Sequence, residues 1–415
     1  MSELDLMNLK VRVLGLGGAG SLIVDTFCNQ ASANVECYAL DSDSKFLGSM
    51  KSAKTLLVGQ EVCRGIGCGG DIELAQQAIE RDRDLLNQIL EGTDVLILVA
   101  GLGGGIGSAL ASVISELSGK TNALILGFFI LPFSFEGSRY RISNTTAEHI
   151  RPLVHGMFTI QNDLLLQEGE GNQSALNVFK NGNRWILNSL NSIQNVLFEN
   201  GLLNQDLGSL KKVFSQLGGK SFFAVSGEKE EFISDMESVQ TFIQAFLSGP
   251  FFHLDIRPSH LDKLLIIIKG SQNLELSVIN DISSLIIKEL NFKKDVNLGA
   301  FIDPSLVNTL EICIFGKSEV EEKQFEAKSS DRSAKEDASS SSLDLGLEMS
   351  EQKPKVHKSK LGKKHKEESD SQKEFQFFDN GENRGYFENT DTEFYKEINL
   401  DMPTYLRKGI KVKYK

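Results

Sequence analysis

Two glycine-rich stretches, each preceded by an apolar run, decide the fold of this chain. The first is Val11-Arg12-Val13-Leu14-Gly15-Leu16-Gly17-Gly18-Ala19-Gly20, and the second is the run Val95 to Ala100 followed by Gly101-Leu102-Gly103-Gly104-Gly105-Ile106-Gly107-Ser108. Each apolar run predicts a buried strand, and each set of glycines opens a predicted helix. Strand, loop and helix in repeated order predict an α/β fold whose parallel sheet carries helices on both faces.

Loops of this kind are typical of phosphate binding. Glycine lets the backbone approach a phosphate closely, and the free N–H groups at a helix start attract negative charge. The candidate residues are Gly17, Gly18, Ala19, Gly20 and Ser21 in the first loop, and Gly103, Gly104, Gly105, Ile106, Gly107 and Ser108 in the second. The sequence contains no GxxxxGK[ST] motif, so backbone amides rather than a lysine are expected to hold the phosphates.

The first loop alone leaves alternatives open. Gly15, Gly17 and Gly20 match the GxGxxG pattern of dinucleotide-binding folds, and Asp41 follows at about the twenty-residue spacing of a ribose-binding acid. The loop therefore fits NAD or FAD binding, and it also fits a plain tight turn. The second loop argues against an NAD-dependent oxidoreductase, because a dinucleotide fold needs one such fingerprint. Two loops from one sheet can instead surround a run of phosphates from both sides.

Bulk composition excludes several classes of protein. The formal net charge of −12 argues against a nucleic-acid binder. The cysteines show no CxxC pair, which fits reduced thiols in a cytosol better than disulfides or a zinc site. The longest apolar stretch, Ala123 to Phe133, is about half of the ~20 residues that a membrane helix needs, so it predicts a buried strand. We expect a cytoplasmic protein with no direct membrane span.

The chain divides into zones of different composition. We expect an N-terminal extension over 1–9, a nucleotide domain over 10–173, a central helix over 174–200 and a smaller α/β domain with a mixed sheet over 201–317. Residues 318–397 are rich in Ser, Lys, Glu, Asp and Gln and predict a disordered linker, and 398–415 form a tail peptide. In finer detail, we expect one helix from Asp71 to Glu91, a helix near Glu230 to Leu247, and an apolar stripe on the central helix. The members of that stripe are Phe179, Trp185, Ile186, Leu190, Ile193 and Leu197.

Six segments, in order along the chain, resemble signatures of the tubulin/FtsZ family of filament-forming GTP-binding proteins. They are Gly65-Ile66-Gly67-Cys68-Gly69, the second glycine loop, Pro132-Phe133-Ser134-Phe135-Glu136-Gly137, Thr159-Ile160-Gln161-Asn162-Asp163, Gly201-Leu202-Leu203-Asn204-Gln205-Asp206 and Leu400-Asp401-Met402-Pro403-Thr404-Tyr405-Leu406-Arg407. The resemblance covers roughly residues 10 to 316 and the tail. It implies a tubulin-like fold and GTP or GDP as ligand, with Mg²⁺ expected although the sequence shows no ligand for it.

The resemblance also implies roles for single residues. Both glycine loops hold phosphates, Glu136 holds the ribose, and Phe179 and Asn162 face the base. Arg139, Asn183 and Arg184 are also expected to bind GTP. Asp206, with Asn204 in the same loop, is expected to enter the nucleotide site of the next subunit and to act on the attacking water. The tail residues Leu400, Asp401, Met402, Pro403, Tyr405, Leu406 and Arg407 are expected to bind membrane-tethering division proteins.

Several family positions are changed. Ser209 stands where the family has a second acid after Asp206, and a serine cannot act as a base near neutral pH. Ile106 replaces a threonine, and Leu22 replaces an asparagine. Tyr140 replaces an arginine, which leaves either Arg139 or Arg141 to serve. Arg184 replaces an aspartate that accepts hydrogen bonds from guanine, unless Asn162 or Asn183 compensates.

The resemblance implies a cell-division GTPase that polymerises head to tail into the ring at the inner face of the membrane. Ser209 predicts slow hydrolysis at the interface between subunits. The alternative is a structural polymer that binds nucleotide with little or no turnover.

Overall fold

The computed structural model of the protein describes residues 9–165, 175–226, 230–231, 236–249, 252, 261–304, 306, 309–318, 394–395 and 398–399. Two compact units divide the chain, Met1–Ser340 and Ser341–Lys415. In the second unit, the short strands Phe394–Tyr395 and Ile398–Asn399 pair antiparallel. The tail residues 400–407 and most of the predicted linker lie outside the described residues.

A six-stranded parallel sheet forms the first layer of the large unit. Its strands are β1 (Val11–Leu16), β2 (Val35–Asp41), β3 (Lys54–Leu57), β4 (Val95–Gly101), β5 (Leu124–Leu131) and β6 (Gly156–Gln161). The strand order is β3-β2-β1-β4-β5-β6, and every neighbouring pair is parallel. The strands read as apolar runs because helices cover both faces of a parallel sheet. The predicted α/β fold is confirmed, and the stretch from Ala123 to Phe133 contains the buried strand β5.

Short and medium helices surround this sheet. They are α1 (Gly17–Cys28), α2 (Ser44–Leu47), α3 (Gln60–Cys63), α4 (Ile72–Arg81), α5 (Arg83–Leu90), α6 (Gly105–Ser118), α7 (Ser138–Ile150) and α8 (Asn162–Leu165). The single helix predicted from Asp71 to Glu91 is wrong. It breaks at Asp82, whose backbone leaves the helical region and whose carboxylate accepts a hydrogen bond from the Gly59 amide. Asp71 does cap α4, since Oδ1 accepts from the Leu74 amide at 3.0 Å.

A 24-residue helix, α9 (Ala175–Phe198), packs between this sheet and a second one. Trp185, Ile186, Leu190, Ile193 and Leu197 are almost fully buried in one core that also contains side chains of both sheets. The predicted stripe is confirmed for these residues. It is wrong for Phe179, whose side chain is 45% exposed.

The second sheet is mixed, as predicted. Its strands are β7 (Lys220–Val225), β8 (Glu230–Glu231), β9 (Lys263–Gly270), β10 (Asn297–Ile302) and β11 (Thr309–Ser318), accompanied by α10 (Leu207–Val213), α11 (Met236–Leu247) and α12 (Leu276–Glu289). β10 runs parallel to β9, whereas β11 pairs antiparallel with β9, β7 and β8. The helix predicted from Glu230 therefore begins at Met236, because Glu230 and Glu231 pair with β11 instead.

Of the helices in the described part of the chain, none is both long enough and apolar enough to cross a bilayer.

Candidate functional site

Both glycine loops lie at the carboxyl ends of the adjacent strands β1 and β4. The strand order reverses at this point, because β1 connects outward to β2 on one side while β4 and β5 lie on the other. In open parallel sheets, ligands bind in the crevice at such a switch point. From the strand order alone, a ligand is therefore expected to bind at the two loops.

The two loops touch backbone to backbone, which explains why they need glycine. Gly17 has φ of +70°, and a Cβ there would lie 2.9 Å from the Cα of Gly107. A Cβ on Gly107 would lie 2.8 Å from the carbonyl oxygen of Gly101. Any larger residue at these positions would push the two loops apart.

A cavity of about 760 Å³ opens over these loops, a size typical of small-molecule sites. Twelve predicted nucleotide-binding residues line it: Gly17, Gly18, Ala19, Gly104, Gly105, Ile106, Gly107, Glu136, Arg139, Asn162, Phe179 and Asn183. The structure thus brings together residues that are separated by more than 160 positions in the sequence.

The helices that begin at the cavity have no side-chain cap. Leu16 precedes α1 and Gly104 precedes α6, and neither offers a side chain to the first amides of its helix. By contrast, Asp71 caps α4 and Asp206 caps α10. Uncapped first-turn amides need an acceptor, and together with the helix dipole they favour an anion. Two such helix starts at one cavity suit a chain of phosphates.

Four other predicted residues support the loops without lining the cavity. Buried Ser21 donates its hydroxyl to the Gly15 carbonyl at 3.1 Å, and the buried Ser108 hydroxyl accepts from the Gly103 amide at 2.9 Å. A Cβ on Gly20 would collide with the Val99 carbonyl. These residues shape the loops, and a direct contact of Gly20, Ser21, Gly103 or Ser108 with a nucleotide stays a prediction.

Glu136 and Arg139 form a charged pair at one side of the cavity. Their carboxylate and guanidinium atoms lie 2.6 Å apart, and the second carboxylate oxygen of Glu136 accepts from the Phe133 amide at 2.9 Å. Of the two arginines that flank Tyr140, Arg139 lines this cavity, whereas Arg141 lines a separate groove beside α4 and α6. Arg139 is therefore placed to contact a ligand here.

The far end of the cavity is aromatic with one buried amide. Phe133 stacks on Phe135 with ring centres 4.9 Å apart, and it meets Phe179 edge to face at 6.1 Å. Asn162 is 7% exposed, and among the described residues no donor reaches its Oδ1. A buried acceptor without a partner costs free energy unless a ligand satisfies it. This end suits a flat base that stacks on an aromatic ring and donates a hydrogen bond.

Asn183 and Arg184 occupy different faces of α9. Asn183 lies four residues after Phe179, which puts both on one helix face, and both line the cavity. Arg184 is absent from the lining residues, so its contact with the base stays a prediction without support from the cavity. Asn183 carries the amide acceptor that a guanidinium lacks.

Phe133 and Phe135 are site residues that sequence reasoning did not single out. Phe135 is 75% exposed and lines the cavity beside Glu136. The signal available was the apolar pair that flanks Ser134 in the segment from Pro132 to Gly137. Isolated surface aromatics carry little information alone, and only the fold brings these two opposite Phe179.

Asp41 does not lie at the cavity. Its carboxylate accepts hydrogen bonds from the amides of Ser42 at 2.6 Å and Asp43 at 3.0 Å, and burial raises its pKa. The acid that would bind ribose in a dinucleotide enzyme is therefore used to stabilise the turn in which it lies. This removes the main sequence support for binding of NAD or FAD.

Asp206 and Asn204 also lie outside the cavity lining, in the loop that follows α9. Leu203 pairs with Ala300 of β10, and the Gln205 amide donates to the Leu298 carbonyl at 3.0 Å, so the loop is fixed to the second sheet. Asn204 accepts from the Gly201 amide at 2.7 Å. The hydrogen bond from the Ser209 amide lowers the pKa of the Asp206 carboxyl group, in spite of partial burial.

Comparison with known proteins agrees with this geometry. Residues 10–170 match the model of the Tubulin/FtsZ family, GTPase domain. The cell division protein FtsZ of Coxiella burnetii is 26% identical over 315 residues, which cover 76% of this chain and 80% of the relative. Cell division protein FtsZ 2 of Methanocaldococcus jannaschii is 29% identical over 304 residues, covering 73% and 78%.

The fold has solved counterparts. An empty FtsZ dimer from M. jannaschii superposes with a TM-score of 0.67 at 23% identity, over 77% of this chain and 93% of that one. At 23% identity the superposition supports the fold alone. The match to the family model is what supports a nucleotide-binding role for the cavity. Sequence, fold and cavity together support a divergent FtsZ-like protein whose residues 10–170 match the model of the tubulin/FtsZ GTPase domain.

Proposed function

We propose that this protein is a cell-division GTPase that binds GTP in the cavity, polymerises head to tail and hydrolyses GTP slowly at the contact between copies. One observation carries the proposal: a single cavity combines two uncapped helix starts, the Glu136–Arg139 pair and a buried Asn162 with an unsatisfied acceptor. These groups match, in order, the phosphates, the ribose and the base of a nucleotide.

Hydrolysis requires a second copy because the acid and the cavity lie at opposite ends of α9. Phe179 and Asn183 line the cavity near the start of the helix, and the Asp206 loop follows its far end. A helix of 24 residues is about 36 Å long. Asp206 is thus placed to reach the cavity of a neighbouring copy, and a head-to-tail contact that does not close on itself produces a filament.

The chemistry at the contact falls to this chain's own residues. The amides of both loops orient the phosphates, and Asp206 of the neighbouring copy positions the attacking water. Among the described residues, no group of three or more His, Cys, Asp or Glu side chains is arranged to hold a metal. Mg²⁺ would therefore bind mainly through phosphate oxygens and water, as it commonly does beside nucleotides, and would neutralise phosphate charge.

A second candidate, a nucleotide-binding polymer with little turnover, is favoured by the state of Asp206. Its Oδ1 is already held by the amide and the hydroxyl of Ser209, and the lowered pKa makes the carboxylate a weaker base. Both candidates share the cavity and the filament, and they differ only in the fate of the bound GTP.

Phosphate release from GTP, measured across a range of protein concentrations with sedimentation of the same samples, separates the candidates. The proposal expects release that begins together with pelleting above a critical concentration. Pelleting without release favours the structural polymer. Absence of both would contradict the assignment.

The tail completes the proposed role. We infer that residues 318–397 serve as a flexible spacer and that the peptide 400–407 binds membrane-tethering division proteins, which places the filament at the cytoplasmic face of the division site. The peptide carries apolar Leu400, Met402, Tyr405 and Leu406 among polar residues, a spacing that suits a short helix in a groove. Binding of a synthetic peptide 398–415 to such partners tests this role, with a Leu406→Asp peptide as the control.

A further inference from the structure

Two buried thiols face each other beside the nucleotide cavity. Cys63 is the last residue of α3, and Cys68 lies in the glycine-rich loop that follows. Both side chains are buried, at 3% and 6% exposure, and their Sγ atoms are 2.6 Å apart. Ser42 lies next to the pair, with its Oγ 3.5 Å from the Cys68 Sγ.

The distance between the sulfurs is close to that of a covalent bond. A disulfide places its sulfurs about 2.05 Å apart, so the pair needs to approach by roughly half an ångström. We propose that Cys63 and Cys68 form a reversible intramolecular disulfide that restrains residues 64–71, the segment that packs against the second glycine loop.

The bond forms with hydrogen peroxide as oxidant. One thiolate attacks the peroxide oxygen and becomes a sulfenic acid, releasing water after proton transfer. The second sulfur then attacks the sulfenic sulfur and displaces its oxygen as a second water. Two thiols and one peroxide thus give one disulfide and two waters, and a dithiol reductant reverses the change by exchange.

Burial keeps the pair reduced under ordinary conditions. Desolvation, followed by the contact with Cys68, raises the pKa of the Cys63 thiol to about 12. Only the thiolate is nucleophilic, so oxidation at neutral pH is slow and needs sustained exposure to the oxidant. Oxidation at this site therefore responds to strong oxidative stress rather than to the resting cytosol.

The residues just after the second thiol, Gly70 and Asp71, pack against the second glycine loop. A Cβ on Gly105, which lines the cavity, would lie 2.8 Å from the Asp71 carbonyl oxygen and 3.2 Å from the Gly70 carbonyl carbon. On the other side, the Gly67 amide donates to the Ser42 carbonyl at 3.1 Å. A bond between Cys63 and Cys68 therefore closes residues 64–67 into a ring and restrains the start of the segment from which Gly70 and Asp71 contact Gly105.

The loop also has an unusual backbone that a cross-link would hold in place. Arg64 has φ of +52°, which is costly for a residue with a side chain, and Gly65, Gly67, Gly69 and Gly70 also have positive φ. Restricting such a segment lowers the entropy of its open states. In the proposed function, on which this step rests, the oxidised protein releases nucleotide more slowly than the reduced protein.

Peptide mapping of the full-length protein tests the bond itself. The protein is treated with hydrogen peroxide, free thiols are alkylated, and trypsin is added. Trypsin cleaves after Lys54, Arg64 and Arg81, so the disulfide joins peptides 55–64 and 65–81 into one species two hydrogens lighter than their sum. Dithiothreitol should separate them. The Cys28→Ser/Cys37→Ser variant should keep the linked species and Cys63→Ser should lose it. Absence of the linked species overturns the proposal.

Release of a fluorescent GTP analogue tests the restraint. Release from oxidised protein should be slower by roughly threefold or more, a change that corresponds to about 0.7 kcal/mol. Cys68→Ser should release at one rate with or without peroxide. Equal rates in oxidised and reduced wild-type protein would overturn the restraint while leaving GTP binding intact. If the reduced protein binds no analogue, the proposed function is contradicted instead. In that case hydrogen exchange over 65–71 still tests the disulfide's effect, and exchange that is unchanged on oxidation would overturn it.

Discussion

Ser209 holds Asp206 through two hydrogen bonds. Oδ1 of Asp206 accepts from the Ser209 amide at 2.8 Å and from the Ser209 hydroxyl at 3.1 Å. The amide bond is an ordinary helix N-cap, and the hydroxyl bond exists only because a serine occupies this position. Ser209 therefore holds the carboxylate that the proposed function assigns to the attacking water.

Ser209→Asp should accelerate GTP hydrolysis. The variant removes the hydroxyl donor, keeps the capping amide and adds a carboxylate in the first turn of α10, where the helix dipole tolerates it. We expect phosphate release per assembled copy to rise by about 10²-fold, the lower end of the ~10²- to 10⁴-fold that a positioned base contributes. Ser209→Asn is the matched control, with the same shape and no charge. Equal rates in the two variants would show that the acid has no role.

Asp206→Asn should separate hydrolysis from assembly. The amide side chain can still accept from the Ser209 backbone, so α10 keeps its cap, but the base is lost. Phosphate release should fall by about 10²-fold or more, with pelleting and GTP binding unchanged. If pelleting is lost together with release, Asp206 serves the contact itself rather than the water.

Asn162→Leu should weaken nucleotide binding while leaving the fold as stable as before or more so. The substitution replaces a buried, unsatisfied amide by an apolar group of similar size. We expect GTP affinity to fall roughly 5- to 150-fold, since an unsatisfied site group is worth about 1–3 kcal/mol. Fluorescence titration and urea unfolding measure the two effects. Asn188→Leu, at a half-buried position of α9 outside the cavity lining, is the control and should leave affinity unchanged.

Gly105→Ala and Gly104→Ala should differ sharply although they are neighbours. A Cβ on Gly105 meets the Asp71 carbonyl oxygen at 2.8 Å, whereas a Cβ on Gly104 meets no protein atom within 4 Å. Gly105→Ala should cost about 1–3 kcal/mol of unfolding free energy and displace the loop 65–71. Gly104→Ala should unfold like the wild type. Similar unfolding midpoints for both variants would contradict the packing described here.

His155 should make the protein less stable as the pH falls. Burial, and then the charge of Lys317, lower its pKa to about 4 from an ordinary 6.5. The folded protein therefore binds fewer protons than the unfolded chain between these values, so the stability that neutral His155 provides is complete above pH 6.5 and is lost as the pH falls toward 4.

His155→Asn provides the test. Nδ1 of His155 accepts from the Ile125 amide at 3.1 Å, a contact that an asparagine oxygen can replace without titrating. Between pH 7 and pH 5, urea unfolding should show the wild type losing about 1–2 kcal/mol more than the variant. Parallel losses in both proteins would show that other groups control the acid sensitivity.

Much of the nucleotide domain was predictable because its signals are local. Glycines after an apolar run fix a strand, a turn and a helix start within ten residues, and the two loops place β1 and β4 in one parallel sheet. The break at Asp82 was not predictable, since it depends on a carboxylate reaching the Gly59 amide far away in sequence. The late start of α11 has a similar cause, because pairing of Glu230 with β11 outweighs a helical pattern.

In the candidate site, too, the features set by short local motifs were predictable and those set by the fold were not. Glu136 and Asn162 lie in short motifs that predict their place, and both line the cavity. Which of Asn183 and Arg184 faces the cavity depends on the rotation of α9 about its axis. The sequence does not fix that rotation to within one residue. The hydrogen bond from the Ser209 hydroxyl to Asp206 depends on a side-chain rotamer. The contact between Cys63 and Cys68 depends on a loop with five positive φ angles. Neither has a signature in a single sequence.

The length of α9 also limits which copies can work. If the cavity and the acid loop of one copy always lie a helix apart, an assembly of such copies contains one fewer complete site than it has members. Under the proposed function, a pair has one working site for two bound nucleotides, and one terminal copy of any filament keeps its GTP unhydrolysed. Turnover per copy should therefore rise with filament length toward a plateau. The rate of GTP hydrolysis per copy then depends on the length of the filament.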